Sequence, residues 1–359
     1  MSVTIKDIAE HAQVSYATVS RALNNKYGVN PETRNRVLKI AQKLNYSPNA
    51  IARGLVSSRS FTLGLILPDM TNPYFPAVAA GIEATAQERG YSVFLCNTNW
   101  DIKRETKYIK LLSERRVDGI IHAPAGSTLE EEAAELLPTV FVSNAPKSCR
   151  QSSVVIDNIR GGYMATKHLI DCGYETIGFI GVSEHEMANN DRLEGYRRAF
   201  HRYGREIEPG HIKFGDFRQE TGYTIIQTLI KSGSYPRALF AENDVLAIGI
   251  LHGIKDSGLR VPEDIALIGF DDISFSAYQE VQLSTINQPK EKMGRIAGEI
   301  LINEIEAGEH RTAPRKVILE PELVVRKSSC NRAGSAGGNK NCGGTVETLP
   351  GEAESRKTG

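Results

Sequence analysis

The chain has 359 residues, 40% of them hydrophobic, and a formal net charge of +0. That length calls for two or three domains, and that apolar content excludes a disordered chain. No run approaches the roughly 18 consecutive apolar residues that span a bilayer, and MSVTIKDIAEHA lacks the apolar stretch of a secretory leader, so a cytoplasmic protein with no membrane partner is expected. The zero charge hides an asymmetry. Residues 1–60 hold nine basic side chains (Lys6, Arg21, Lys26, Arg34, Arg36, Lys39, Lys43, Arg53, Arg59) against Asp7, Glu10 and Glu32, a net +6 that the rest of the chain offsets. A basic head on an acidic body is the footprint of a protein that meets phosphates with one end.

Thr4 can cap a helix, with Asp7 at its positive end, and Ile5, Ile8, Ala9 and Ala12 then form one apolar stripe. Gln13-Val14-Ser15 breaks the pattern, and Ser15 caps a second helix from Tyr16 that buries Val19, Ala22 and Leu23. Its opposite face carries Ala17, Ser20, Arg21 and Asn24, with Tyr16 at the edge. Asn30-Pro31-Glu32 reads as cap, first-turn proline and acidic second position of a third helix with Val37, Ile40, Ala41 and Leu44 inside. Three short amphipathic helices with a tight first turn make a helix-turn-helix. A bundle that binds nothing would explain the stripes but not the charge, nor a polar face of groups that read bases and phosphates.

The run TIKDIAEHAQVSYATVSRALNN, followed by VNPETRNRVLKIAQKLNYSPNAIARGL, resembles the headpiece of the lactose-repressor/galactose-repressor (LacI/GalR) family of transcription regulators. The resemblance implies that the Tyr16–Asn24 helix enters the major groove, with Tyr16, Ala17 and Arg21 facing base edges. Ser15, Thr18 and Asn24 would mostly place phosphates, Thr4 is also counted among the DNA-binding residues, and Ala17 offers only apolar contact. Residues 47–60 form the next segment. Ser47-Pro48 starts a stretch of about two helical turns, too short to be stable alone, and Ser57-Ser58-Arg59-Ser60 links it onward. By the same resemblance Asn49, Ala52 and Leu55 belong to a hinge helix in the minor groove, Leu55 wedging between base pairs.

From Thr62 the pattern becomes apolar strands alternating with helices. Strands are expected at 62–67, 92–96, 119–122, 139–142, 176–181, 237–241 and 265–270, and helices at 75–89, 104–115, 161–171, 192–203, 220–231, 245–256 and 291–306. That alternation means a doubly wound parallel sheet, with material for two subdomains and a ligand site in the cleft between them. Polar and aromatic residues follow the strand ends: Asn72-Pro73-Tyr74-Phe75, Ser143-Asn144, Asn243-Asp244, Asp271-Asp272, and Gln288 in Ile286-Asn287-Gln288-Pro289. Any one of them could equally be a cap or a turn.

The segments TNPYF, RLEGYRRAF, FAENDVLAIG, VPEDIALIGFDD and TINQPKEKMG resemble the effector core of the same family and periplasmic ribose-type binding proteins. The resemblance implies a multidomain protein. An all-α helix-turn-helix headpiece (1–46) precedes a hinge and linker (47–60), an α/β periplasmic-binding-protein-like effector and dimerisation domain of two doubly wound subdomains (61–329), and a tail (330–359). It further implies that Tyr74 and Phe75 stack on a ligand ring and that Arg192, Asn243, Asp271 and Gln288 bond hydroxyls. Phe217 would be a further wall and Asn72 the rim. Ser143-Asn144 stands where many sugar-binding relatives have an aspartate, which leaves room for a ligand that is less polar, anionic or not a simple sugar.

The tail from Gly334 is Gly-, Asn-, Ser- and Lys-rich without leucine heptads, and a disordered extension is expected. The five cysteines are scattered with no CxxC pair, which argues against zinc and disulfides. No P-loop, GxGxxG, GxSxG or HExxH motif is present, so neither an enzyme nor a cofactor or metal is expected; a transport-type binding protein fails on the headpiece. The sequence thus predicts a homodimeric repressor of a palindromic operator, about 14–20 base pairs long, controlled by a small carbohydrate-like effector. The alternative is control by a phosphoprotein corepressor, as in some catabolite regulators of the family.

Overall fold

The computed structural model describes residues 3–23, 27–44, 46, 59–126, 137–146, 149–183, 186–308 and 313–330. Asn24, the hinge residues Asn49, Ala52 and Leu55, and the tail from 331 lie outside the described residues. The protein separates into two compact units, Met1–Ser60 and Phe61–Gly359.

In the first unit, α1 (Ile5–Ala12), α2 (Tyr16–Leu23) and α3 (Pro31–Lys43) surround a core of Ile8, Ala12, Val19, Ala22, Val37 and Ala41. The expected caps are in place. Thr4 Oγ1 accepts from the Asp7 amide while Asp7 Oδ2 accepts from the Thr4 amide at 2.7 Å, a reciprocal box that holds the Asp7 carboxyl below its ordinary pKa. Ser15 Oγ accepts from the Thr18 amide at 3.2 Å, and Asn30 Oδ1 from Glu32 at 2.7 Å and Thr33 at 3.2 Å. Gln13 ends α1 in the left-handed region (φ 53), which turns the backbone sharply into α2.

The second unit is built on two parallel sheets. The first has the order β11-β5-β4-β3-β1-β2 and joins β1 (Thr62–Leu67), β2 (Ser92–Asn97), β3 (Gly119–His122), β4 (Thr139–Ser143), β5 (Ser152–Ile156) and β11 (Lys316–Leu319). The second has the order β7-β6-β8-β9, from β6 (Ile177–Gly181), β7 (Ile212–Phe214), β8 (Ala238–Ala241) and β9 (Ala266–Ile268). An antiparallel pair, β10 (Thr285–Asn287) with β12 (Glu322–Val324), adjoins the second sheet. Central strands are apolar on both faces because helices cover both. On β1, Leu63, Leu65 and Leu67 pack towards α4 (Tyr74–Glu88) and α10 (Lys290–Ala307), while Ile66 packs with Ile109 and Leu112 of α5 (Ile102–Glu114). In the second half, α6 (Asn158–Asp171) and α7 (Met187–Arg202) cover one face, and α8 (Gln219–Lys231) and α9 (Asp244–Asp256) the other.

Seven expected strands appear within one to two residues of their predicted ends. Five were not expected: β5, β7, β10, β11 and β12. Each mixes polar with apolar residues, as in Ser152-Ser153 or Lys316, so no unbroken apolar run marks it. The assignment of α10 to a half also escapes the sequence pattern. Met293, Ala297 and Leu301 on α10 belong to the first core, so the backbone crosses between halves three times, after β5, after β10 and after β11.

Helices α6 and α7 touch backbone to backbone. A methyl group on Gly162 would overlap the Arg192 carbonyl, and one on Gly195 the Ile159 carbonyl. Gly81 and Gly294 do the same for α4 and α10. The first contact sets where α7 lies, and therefore where Arg192 points. Gly195→Val is expected to destabilise the unit by about 1–3 kcal/mol, read as a lowered midpoint of thermal unfolding; an unchanged midpoint would show that the close approach is dispensable.

Candidate nucleic-acid interface and ligand cleft

On the first unit, burying Val19 and Ala22 turns the other side of α2 to solvent. Ser15, Tyr16, Ala17 and Arg21 are exposed, Tyr16 by 53%. Thr18 is half-buried, its hydroxyl 2.9 Å from Ser15 Oγ, and Thr4 is exposed at the start of α1. The face therefore offers a guanidinium, a phenol and two hydroxyls, all on one short rigid element, which is what reading base edges and phosphate oxygens requires.

In the second unit all ten predicted effector residues (Asn72, Tyr74, Phe75, Ser143, Asn144, Arg192, Phe217, Asn243, Asp271 and Gln288) line one cavity between the two sheets. Trp100, Glu186, Ala188 and Glu242 line it too, and the sequence pattern did not single them out. Trp100, Glu186 and Glu242 each follow a strand end, so the rule that found the others could have found them. The cavity is ≈ 30 Å³. It is narrowed by contacts that cross between the halves, the Asn144–Glu186 hydrogen bond and the stack of Trp100 on Phe217.

Arg192 organises the polar wall. It is 5% exposed, and its Nε donates to Asn158 Oδ1 at 2.9 Å. Its Nη1 donates to the Glu242 carbonyl at 2.7 Å and to Glu242 Oε1 at 2.8 Å, and Nη2 lies 3.8 Å from Asp271 Oδ1. The guanidinium also sits 3.8 Å over the Phe270 ring. Asp271 accepts from Gln288 Nε2 at 2.6 Å, and the Tyr74 phenol lies 3.1 Å from Gln288 Oε1 and 3.0 Å from Ser143 Oγ. The phenol has one proton, so it donates to Gln288 and accepts from Ser143. Asn243 is spent within its own half: Oδ1 caps α9 at the Leu246 amide (2.8 Å) and Nδ2 donates to Glu242 Oε2 (2.7 Å). Asn72 Oδ1 accepts from the Tyr74 amide at 3.0 Å, and Asn144 Nδ2 donates to Glu186 Oε1 at 2.9 Å. Ser143 (φ 71) and Asp271 (φ 111) hold left-handed backbone at their strand ends.

Three carboxylates crowd one guanidinium here. Burial pushes Glu242 up to about 8 and Asp271 up to about 7, in each case against the pull of Arg192, and it raises Glu186 as well. Burial pulls the Arg192 pKa down, but the neighbouring Glu242, Asp271 and Glu186 outweigh it and leave it raised. Because the folded pKa values of Glu242 and Asp271 are raised, the folded state keeps protons that the unfolded protein has released. The associated stability is full below the ordinary carboxylate range and is lost as pH rises to about 8. Glu242→Gln cannot titrate, so its thermal midpoint should depend less steeply on pH between about 5 and 8; parallel profiles for variant and wild type would refute that origin.

Comparison with known proteins follows the same division. Residues 4–49 match the model of bacterial regulatory proteins of the lacI family, and residues 166–329 that of the periplasmic binding protein-like domain. The HTH-type transcriptional repressor PurR of Aliivibrio fischeri (strain MJ11) is 37% identical over 338 residues, covering 92% of this chain and 99% of the relative. The HTH-type transcriptional regulator RegA of Clostridium saccharobutylicum is 35% identical, covering 92% and 100%. Among solved structures, the lac repressor dimer bound to operator and the anti-inducer ONPF superposes with a TM-score of 0.82 at 26% identity over 92% of this chain and 100% of that one. The transcriptional regulator CelR–cellobiose complex gives 0.68 at 29% over 91% and 99%. No described helix is long and apolar enough to cross a membrane. The chain belongs to the lacI family of bacterial regulatory proteins and is a DNA-binding transcription regulator, not an enzyme.

Proposed function

We propose that this regulator is a cytoplasmic repressor that binds a palindromic operator as a homodimer and is controlled by a small neutral ring compound, a sugar or sugar derivative, in the cleft. The observation that carries the reading is the convergence of the ten residues on one cavity between two halves. Carboxylates and amides make directional bonds to hydroxyls, while aromatic faces cover C–H surfaces. Burial favours the neutral form of Glu186, Glu242 and Asp271, so beside Arg192 the lining offers donors and acceptors suited to a neutral polar ligand. A cleft so built also favours a metabolite over control by a docked phosphoprotein. For the dimer, β2 is the edge strand of the first sheet and leaves Phe94 (43%) and Leu95 (41%) exposed, apolar surface that a second copy would cover.

Electrophoretic mobility shifts with operators selected from randomised duplex DNA test the DNA role, repeated with a sugar panel to read the sign of control. Arg21→Ala should cost about 1–3 kcal/mol of specific binding, roughly 5- to 150-fold, and relax base preference at one position of each half-site. Equal affinity of wild type and variant for selected and random duplex would refute the assignment. Leu95→Glu should shift the sedimentation coefficient towards a monomer and weaken operator binding with it; a variant that remains dimeric would place the interface elsewhere.

A further inference from the structure

Trp100 and Phe217 come from opposite halves of the cleft, Trp100 after β2 and Phe217 after β7. Their rings stack face to face, centroids 3.7 Å apart and planes within 6°. Trp100 also meets Phe75 edge-on at 6.0 Å. Its indole Nε1 is shielded from solvent and has no hydrogen-bond partner among the described residues. A buried N–H left unmade is costly, and indoles in protein interiors ordinarily find an acceptor. The turn that presents the ring is unusual as well, since Asn99 (φ 55) and Trp100 (φ 59) are consecutive left-handed residues without glycine. The two stacked rings occupy space between the halves, beside the cavity that the other lining residues share.

We propose that Trp100 is a ligand-binding residue of the cleft. Its stack on Phe217 is the contact that an entering ring replaces, and its in-plane Nε1–H is the donor that a substituent of that ring reaching past the indole edge takes up. The inference rests on the cleft reading above and adds a specificity element to it. The cleft selects a ring with an apolar face for the indole and an exocyclic oxygen that reaches past the indole edge, such as a pyranose with a hydroxymethyl arm. Acyclic polyols of similar composition lack that face and are rejected.

Trp100 is the only tryptophan of the protein, so its emission reports the stack directly. Without ligand, Phe217→Ala should red-shift the emission of the full-length protein and raise its quenching by acrylamide about twofold or more. Phe217→Tyr, which keeps the ring, should behave as wild type. Unchanged emission and quenching in Phe217→Ala would overturn the stack. The ligand role is read by calorimetry and emission with methyl β-D-glucopyranoside, D-ribose, cellobiose and the acyclic polyol D-glucitol as separate probes. A cyclic probe should bind and shift the emission, with affinity reduced about tenfold in Trp100→Phe, which loses the N–H, and about a hundredfold in Trp100→Leu. D-Glucitol should not bind. Equal affinities in the three proteins, with static emission, would overturn the role of Trp100 and leave the cleft reading intact. Absence of heat from every probe in wild type would overturn the sugar reading and the ligand role with it, while the Phe217 variants still decide the stack.

Discussion

The cleft is organised by one buried positive charge. A guanidinium removed from water must be matched in charge and in hydrogen bonds, because an unpaired buried ion costs far more than any packing around it returns. Arg192 meets that demand with Glu242, Asp271, Asn158 and the face of Phe270. The consequences run outward: Asp271 holds Gln288, Gln288 holds Tyr74, and Tyr74 reaches Ser143 on the first sheet. A single series of polar contacts therefore joins both halves. It also explains the three acidic groups without catalysis, since each is engaged in pairing or capping.

The headpiece was the most legible part of the sequence because its signals are local. Thr4, Ser15 and Asn30 cap the helices they precede, and the stripe at Ile8 and Ala12 is buried as its spacing requires. Central strands such as β1 were readable too, since burial on both faces writes an unbroken apolar run. The outermost strand β11 was not. β11 exposes Lys316 and Ile318 and pairs with β5 from 163 positions earlier, a non-local match that leaves no periodic trace. The same holds for α10, whose sequence marks a helix but not the half that it covers.

The cleft residues were legible by a different rule, the tendency of ligand groups to follow strand ends. It gathered ten residues from well-separated parts of the sequence into one cavity. Residues already spent in a visible pattern escaped it. Glu242 lies next to Asn243, which caps the following helix, and Trp100 lies in a turn whose left-handed backbone no propensity announces. What the rule cannot supply is pairing. That Asn144 meets Glu186, and Trp100 meets Phe217, depends on the crossing segments that hold the halves together.

Those cross-cleft contacts bear on how a ligand could switch the protein. The halves are joined across the cleft by the Asn144–Glu186 bond, the aromatic stack, the Tyr74 contacts, and the burial of Ile248 and Ile273 of the second half in the core of the first. A ligand that merely replaced them with equal contacts would shift nothing, however tightly it bound. Moving a two-state balance from 1:99 to 99:1 takes about 5.5 kcal/mol of differential affinity. A hydrogen bond to an otherwise unpartnered group contributes to that difference fully, because no protein contact is given up in exchange. The indole N–H of Trp100 is such a group, whereas the amides of Asn243 and Gln288 must first release partners. In the proposed mechanism, selectivity for the ligand and the energy of the switch thus draw on the same few groups at the seam between the halves.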